Sequence, residues 1–355
     1  MDIREIDPNF AQNSDADQEN TVYYAVTEPP FSLYGVFYER EEKRFLRMPS
    51  AVAASVSENV AILNGNTAGG RVRFSTDSPF LTLAARYPSL SIMSHMPLSG
   101  SSGFTLCENT PRGEKLVCTM RPEWRDADRF LRRIPLGGGL RRYTLYFPLY
   151  NDVSDMALGF DRGARVGRGK PYRSIAPIVY YGSSITQGGC ACRADHSYQA
   201  LISKRNNIDF INLGFSGNAK GEETMARYLG GLACSVAVID YDHNAPNAEH
   251  LAATHEPFYK IFRAAQPETP VVFVTKPDFY GDAEGERRLE IIRGTYSRAL
   301  AAGDRKVAFV DGRKLFGRLQ AECTVDGCHP NDMGFYRMAE VIGRAVNGAL
   351  RGRYD

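Results

Sequence analysis

Ile178-Val179-Tyr180-Tyr181-Gly182-Ser183-Ser184-Ile185-Thr186-Gln187-Gly188 decides the fold class. The four apolar residues read as a short strand, and Gly182 interrupts it. A serine that follows a glycine between a strand and a helix can present its hydroxyl at the rim of a sheet. The nearby helix N-terminus favours negative charge developing there. Taken alone, the segment also reads as a turn or a helix-capping serine.

Working downstream, strands and helices alternate. Strands are expected at Phe210–Leu213, Ser235–Ile239, Val271–Thr275 and Val307–Val310. Helices are expected at Ser197–Lys204, Glu222–Leu229, Glu256–Ala265, Glu286–Ala301 and Phe335–Ala349. This alternation implies a mostly parallel sheet with helices on both faces, an α/β domain over 173–355. Upstream the texture changes. Arg162–Tyr172 is rich in Gly and Arg and reads as a linker. Before it lie short apolar runs separated by turn residues: Val52–Val60, Arg71–Phe74, Leu81–Arg86, Phe104–Leu106, Lys115–Met120 and Tyr143–Leu149. Such spacing predicts a β-sandwich over 31–172. Residues 1–30 read as an N-terminal arm.

Composition narrows the function classes. The 355 residues are 43% hydrophobic and 24% charged, with 43 basic and 41 acidic side chains for a net charge of +2. That balance is globular and argues against a nucleic-acid partner. Arg125, Arg132 and Arg133 read as a solvated face. No stretch approaches the ~20 apolar residues of a membrane span, and Met1–Asn20 lacks a signal-peptide pattern. The expectation is a cytoplasmic protein with no membrane partner, self-association being left open. Seven cysteines argue against a full disulfide framework. Neither Cys190 with Cys192, nor Cys323 with Cys328 and His329, has zinc-site spacing, so no metal and no cofactor is expected.

A serine needs a base. The histidines are His95, His196, His243, His250, His255 and His329. His329 stands out, because Asp326 lies three residues before it in a turn-rich loop ahead of the final helix. One loop can therefore bring the carboxylate to the imidazole. Oxyanion donors are available in Asn212–Asn218, where Gly217 allows close backbone approach, and in Asp240–Asn244, where Asn244 carries an amide. Each also reads as an ordinary turn. Asp240 and Asp242 read as loop aspartates that either tune a pKa or satisfy backbone amides, His243 as a substrate contact or a functionally neutral loop histidine, His255 as a helix start, and Trp124 as a sugar contact or a partly buried ring.

These segments, in this order, resemble the SGNH (GDSL-type) hydrolase superfamily. Gly182-Ser183-Ser184-Ile185 resembles its first block, with Ser183 for the usual Asp and Ile185 for the usual Leu. Ser216-Gly217-Asn218 is similar to the second block. Asp240–Asn244 resembles the third, with Asp242 and His243 where a Gly usually precedes the Asn. Asp326-Gly327-Cys328-His329 matches the last. A narrower resemblance is to a two-domain subgroup with an N-terminal β-sandwich. Gly103-Phe104-Thr105-Leu106-Cys107 resembles its Gly-x-Asp-Leu-Tyr signature but departs at Thr105 and Cys107.

The resemblance implies a flavodoxin-like hydrolase domain with Ser184, Asp326 and His329 catalytic. It further implies an oxyanion hole of Ser184, Gly217 and Asn244. The activity it implies is a serine esterase removing a small acyl group, acetyl for preference, from a small-molecule or carbohydrate ester. An acyltransferase using the same residues is the first alternative. A carbohydrate-binding protein with an inactive hydrolase domain is the second.

Overall fold

A computed structural model describes residues 20–123, 130–277 and 281–354. Trp124 and Arg125 lie outside the described residues. The C-terminal domain is built on a five-stranded parallel sheet. Numbered along the domain, the strands are Ile178–Gly182, Phe210–Gly214, Val236–Asp240, Val271–Val274 and Val307–Val310, and their spatial order is 2-1-3-4-5. The order reverses beside the first strand, where such sheets open a crevice at the carboxyl ends of their strands.

Both faces of this sheet are covered. Ile178 and Tyr180 point into one core with the final helix Asp332–Ala349, and Val179 and Tyr181 into the other with helices Ala248–Ala265 and Ala283–Ala301. Burial on both sides explains why the strands read as uninterrupted apolar runs. Only four residues of Phe210–Gly214 were expected as strand, and the other parallel strands fall within one residue of their expected bounds.

The N-terminal domain is a sandwich of two antiparallel sheets. One has the order Thr21–Ala25, Ser154–Asp161, Phe80–Arg86, Phe130–Pro135. The other runs Val166–Arg168, Arg71–Thr76, Arg141–Tyr146, Phe104–Thr110, Gly113–Met120, with Ser32–Tyr34 also paired to Arg71–Thr76. Their inner faces share one apolar core that includes Phe74, Leu83, Phe104, Phe130, Leu145 and Phe160.

Three expectations are corrected here. Thr21–Ala25 is an edge strand paired with Ala157–Asp161, so the sandwich takes in residues assigned to the arm. Val52–Val60 is helical, in helices Ser50–Val56 and Glu58–Leu63. Val52, Val56 and Val60 recur every four residues, a helical period, and Ser57 caps the second helix by accepting from the Val60 amide at 3.1 Å. The linker contributes strand Val166–Arg168 to the second sheet.

The sandwich closes the exposed edge of the parallel sheet. Arg47 is buried and donates to the carbonyls of Asn212, Gly214 and Leu63, with its guanidinium 4.5 Å from the Phe215 ring centre. Burial pulls its pKa down to about 9. Arg71, also buried, donates to the Tyr172 hydroxyl at 2.7 Å and to the Phe210 carbonyl at 3.1 Å, and pairs with Asp209. Two guanidiniums from one domain thus satisfy backbone carbonyls on the edge strand of the other.

Candidate active site

The site grows from the carboxyl end of the first parallel strand. A Cβ on Gly182 would lie 2.1 Å from Thr186 Oγ1 and 2.3 Å from the Asp240 carbonyl, so only glycine allows the turn. Ser183 caps the short helix Ser184–Gln187, accepting from the Ile185 amide at 3.2 Å. Ser184 is therefore the first helical residue, half-buried, its hydroxyl at the positive end. Beneath it the Thr186 carbonyl accepts from Gln199 at 2.7 Å and from Asn212 at 2.8 Å.

Ser184 Oγ lies 3.0 Å from His329 Nε2. On the other side of the ring, His329 Nδ1 is 2.8 Å from Asp326 Oδ2. Asp326 Oδ1 accepts from the amides of His329 at 2.7 Å and Cys328 at 3.0 Å. Burial alone would raise the Asp326 pKa. The two amides and the imidazole outweigh it and hold the carboxyl down to about 2. The loop carrying both residues folds back on itself, with Gly327 at φ +80° and the Val325 amide bonded to the His329 carbonyl at 2.9 Å. Three expected residues thus form one continuous hydrogen-bonded line.

The loop leaves the far edge strand of the sheet and is hooked back by the start of the final helix. Asp332 Oδ1 accepts from the Cys192 amide at 2.8 Å, and its Oδ2 lies 2.6 Å from His196 Nδ1. Gly217 sits in the left-handed region at φ +70° with open space around it. The Asn244 side chain donates to the Phe215 carbonyl at 2.9 Å, which ties the third block to the second. His243 is half-buried, and its Nε2 is shielded without a hydrogen-bond partner among the described residues. Burial, then the charges of Lys276 and His329, pull its pKa down to about 3, so it is neutral. His255 lies inside helix Ala248–Ala265 rather than at its start, buried, with Nδ1 3.1 Å from Thr295 Oγ1.

Asp240 ends the strand Val236–Asp240 rather than lying in the loop after it. It is buried beneath the site, accepting from Tyr198 Oη at 2.9 Å and Thr186 Oγ1 at 3.1 Å. Burial pushes its pKa up to about 7. Asp242 is likewise buried, against Arg288 and the Lys276 amide.

Residues not singled out in the sequence complete the site. Tyr150 of the sandwich donates its hydroxyl to the Ser184 carbonyl at 3.1 Å. Gln187 donates to Asn66 at 3.0 Å and to the Leu149 carbonyl at 3.1 Å, and accepts from the Ser216 amide at 3.0 Å. One amide side chain therefore links the Ser184 helix, the sandwich and the second block. The only sequence signal for Gln187 was its place three residues after Ser184. Beside it a cleft of about 540 Å³ opens between the domains, lined by Asn59, Asn66, Asn151, Asp152, Ser216 and Asn218 among others.

Comparison with known proteins agrees with this architecture. Residues 175–347 match the GDSL-like Lipase/Acylhydrolase family, and residues 21–166 match the N-terminus of SGNH-hydrolase-type esterases. The chain belongs to the SGNH (GDSL-type) hydrolases. It is a carboxylic-ester hydrolase of the two-domain kind. A GDSL-like lipase structure from Bacteroides ovatus is similar to this SGNH hydrolase, with a TM-score of 0.84 and 25% identity over 94% of this chain and 98% of that one. The salicylyl-acyltransferase SsfX3 of a tetracycline biosynthetic pathway has a TM-score of 0.79 at 19% identity, over 94% and 98% of the two chains. An acetyl xylan esterase from Butyrivibrio proteoclasticus has a TM-score of 0.60 at 12% identity, over 94% and 100%. The last two likenesses are of fold. A search of proteins with curated functions returns no match. Among the described residues no helix is long and apolar enough to cross a membrane.

Proposed function

We propose that this SGNH hydrolase removes a small acyl group, acetyl for preference, from a hydroxyl of a carbohydrate or similarly polar alcohol. The observation that carries the reading is the line Ser184 Oγ, His329 Nε2, Asp326, with contacts of 3.0 and 2.8 Å. In this reading His329 takes the Ser184 proton as Oγ attacks the ester carbonyl, and Asp326 fixes the ring so that Nε2 is the acceptor. The amides of Ser184 and Gly217 and the Asn244 side chain receive the oxyanion. The alcohol leaves with the proton from His329, and water then resolves the acyl-enzyme. A polar alcohol is supported by the cleft, where Asn59, Asn66, Asn151, Asp152 and Asn218 offer hydrogen bonds to hydroxyls beside the apolar Ile62, Leu63 and Met93.

The test compares p-nitrophenyl acetate, butyrate and octanoate, with wild type and Ser184→Ala side by side. The expected result is turnover that falls with chain length and disappears in the variant. A variant that keeps its rate overturns the assignment of Ser184. Acyl transfer to a second alcohol is the other reading, supported by the shared fold of the salicylyl-acyltransferase. Added glycerol or a sugar acceptor distinguishes them, because a transferase forms the new ester faster than free acid.

A further inference from the structure

We infer that His95, Cys190 and His329 form a zinc site that switches the hydrolase off. One donor atom from each residue lies within 4.8 Å of the others. The three come from separate segments: a sandwich loop, the turn after the nucleophile helix, and the loop of Asp326. No spacing along the chain announces them.

The local chemistry suits zinc. Two imidazoles and one thiolate are the borderline and soft donors that Zn²⁺ takes, and a hard cation such as Mg²⁺ has no oxygen cage here. Ligand bonds of about 2.0–2.3 Å put the donors of one ion roughly 3.5 Å apart, so the trio must close by about 1 Å. His95 is exposed and can supply that movement, its ring centre already 5.8 Å from that of His329. Cys190 is held in place: it occupies the left-handed region at φ +72°, and its Sγ sits 3.4 Å from the His95 carbonyl. A residue with a Cβ keeps that backbone only where its surroundings impose it.

The inhibition rests on the reading of Ser184 and His329 given above; the binding does not. With Nδ1 bonded to Asp326 at 2.8 Å, the ring offers its Nε2 lone pair outward. A carboxylate behind an imidazole is the same support that zinc-bound histidines use. Zn²⁺ would therefore compete for the lone pair that accepts the Ser184 proton. Binding replaces the Cys190 thiol proton, which passes to buffer, while both imidazoles donate without losing a proton. A water fills the fourth position.

Two readouts on the full-length protein test this. Co²⁺ is added to the Ser184→Ala protein, where the thiolate-to-cobalt absorption band should appear and should vanish when Cys190→Ser is added. This readout needs no activity, so it stands even if the esterase reading fails. Zn²⁺ is then titrated into ester hydrolysis, each protein scaled to its own metal-free rate. Wild type should be inhibited, with Mg²⁺ inert, and His95→Ala should need at least about tenfold more Zn²⁺. Absence of the cobalt band, its survival in Cys190→Ser, or equal zinc sensitivity of His95→Ala and wild type overturns the site.

Discussion

Replacing Asp326 by Asn should lower kcat by about 10⁴ with little change in fold, because the ring loses its fixed tautomer. Steady-state kinetics on a p-nitrophenyl ester, with circular dichroism as control, checks it. Removing the Asn244 amide as Asn244→Ala should cost about 10²–10³ in kcat. The two acids respond to pH in opposite senses. Asp326 is held below its ordinary value of 3.8, so its contribution is full above about 4 and is lost as pH falls through about 2. Asp240 is raised, so the fold is favoured fully below about 4, and the benefit is lost as pH rises through about 7. The melting temperature of Asp240→Asn relative to wild type should therefore be higher at pH 8 than at pH 5. A difference independent of pH would contradict this. Ser184, Asp326 and His329 were legible because each sits in a short motif directly after a strand or before a helix. Tyr150, Gln187 and Asp332 were not, since their partners lie 34, 121 and 140 residues away.

At the scale of elements, the short helix Ser184–Gln187 is held more by neighbours than by its own hydrogen bonds. Gln187→Ala would leave the Ser216 amide and the Leu149 carbonyl without that partner. It should cost about 1–3 kcal/mol in chemical denaturation and lower kcat more than it changes KM, since Ser216 leads into Gly217. The parallel strands were legible because burial on both faces writes them as apolar runs. Val52–Val60 was not, because a helix packed by valines every fourth residue shares its composition with a strand. Thr21–Ala25 escaped notice because Tyr23 and Ala25, two of its five residues, are exposed at a sheet edge.

At the scale of the molecule, the domains are joined by buried charge. Arg71→Met removes the donor to Tyr172, Asp209 and the Phe210 carbonyl at once, and should destabilise the protein by about 3 kcal/mol. Wild type should melt in one transition, and the variant should melt earlier or in two, as scanning calorimetry would record. The two-domain plan was legible from the change in texture near residue 162, whereas the docking surface was not. Arg47 and Arg71 give no periodic signal, and several of their partners are backbone carbonyls, which any sequence supplies.

The hook made by Asp332 also sets an order of events during synthesis. Ser184 and the His329 that faces it are 145 positions apart. A ribosome can therefore release the whole sandwich and the first parallel strands while Ser184 still lacks the His329 that faces it. In the mechanism proposed above, the nascent chain carries a hydroxyl and no base until helix Asp332–Ala349 is out to anchor the loop. In the proposed mechanism, ester chemistry waits until this helix has docked.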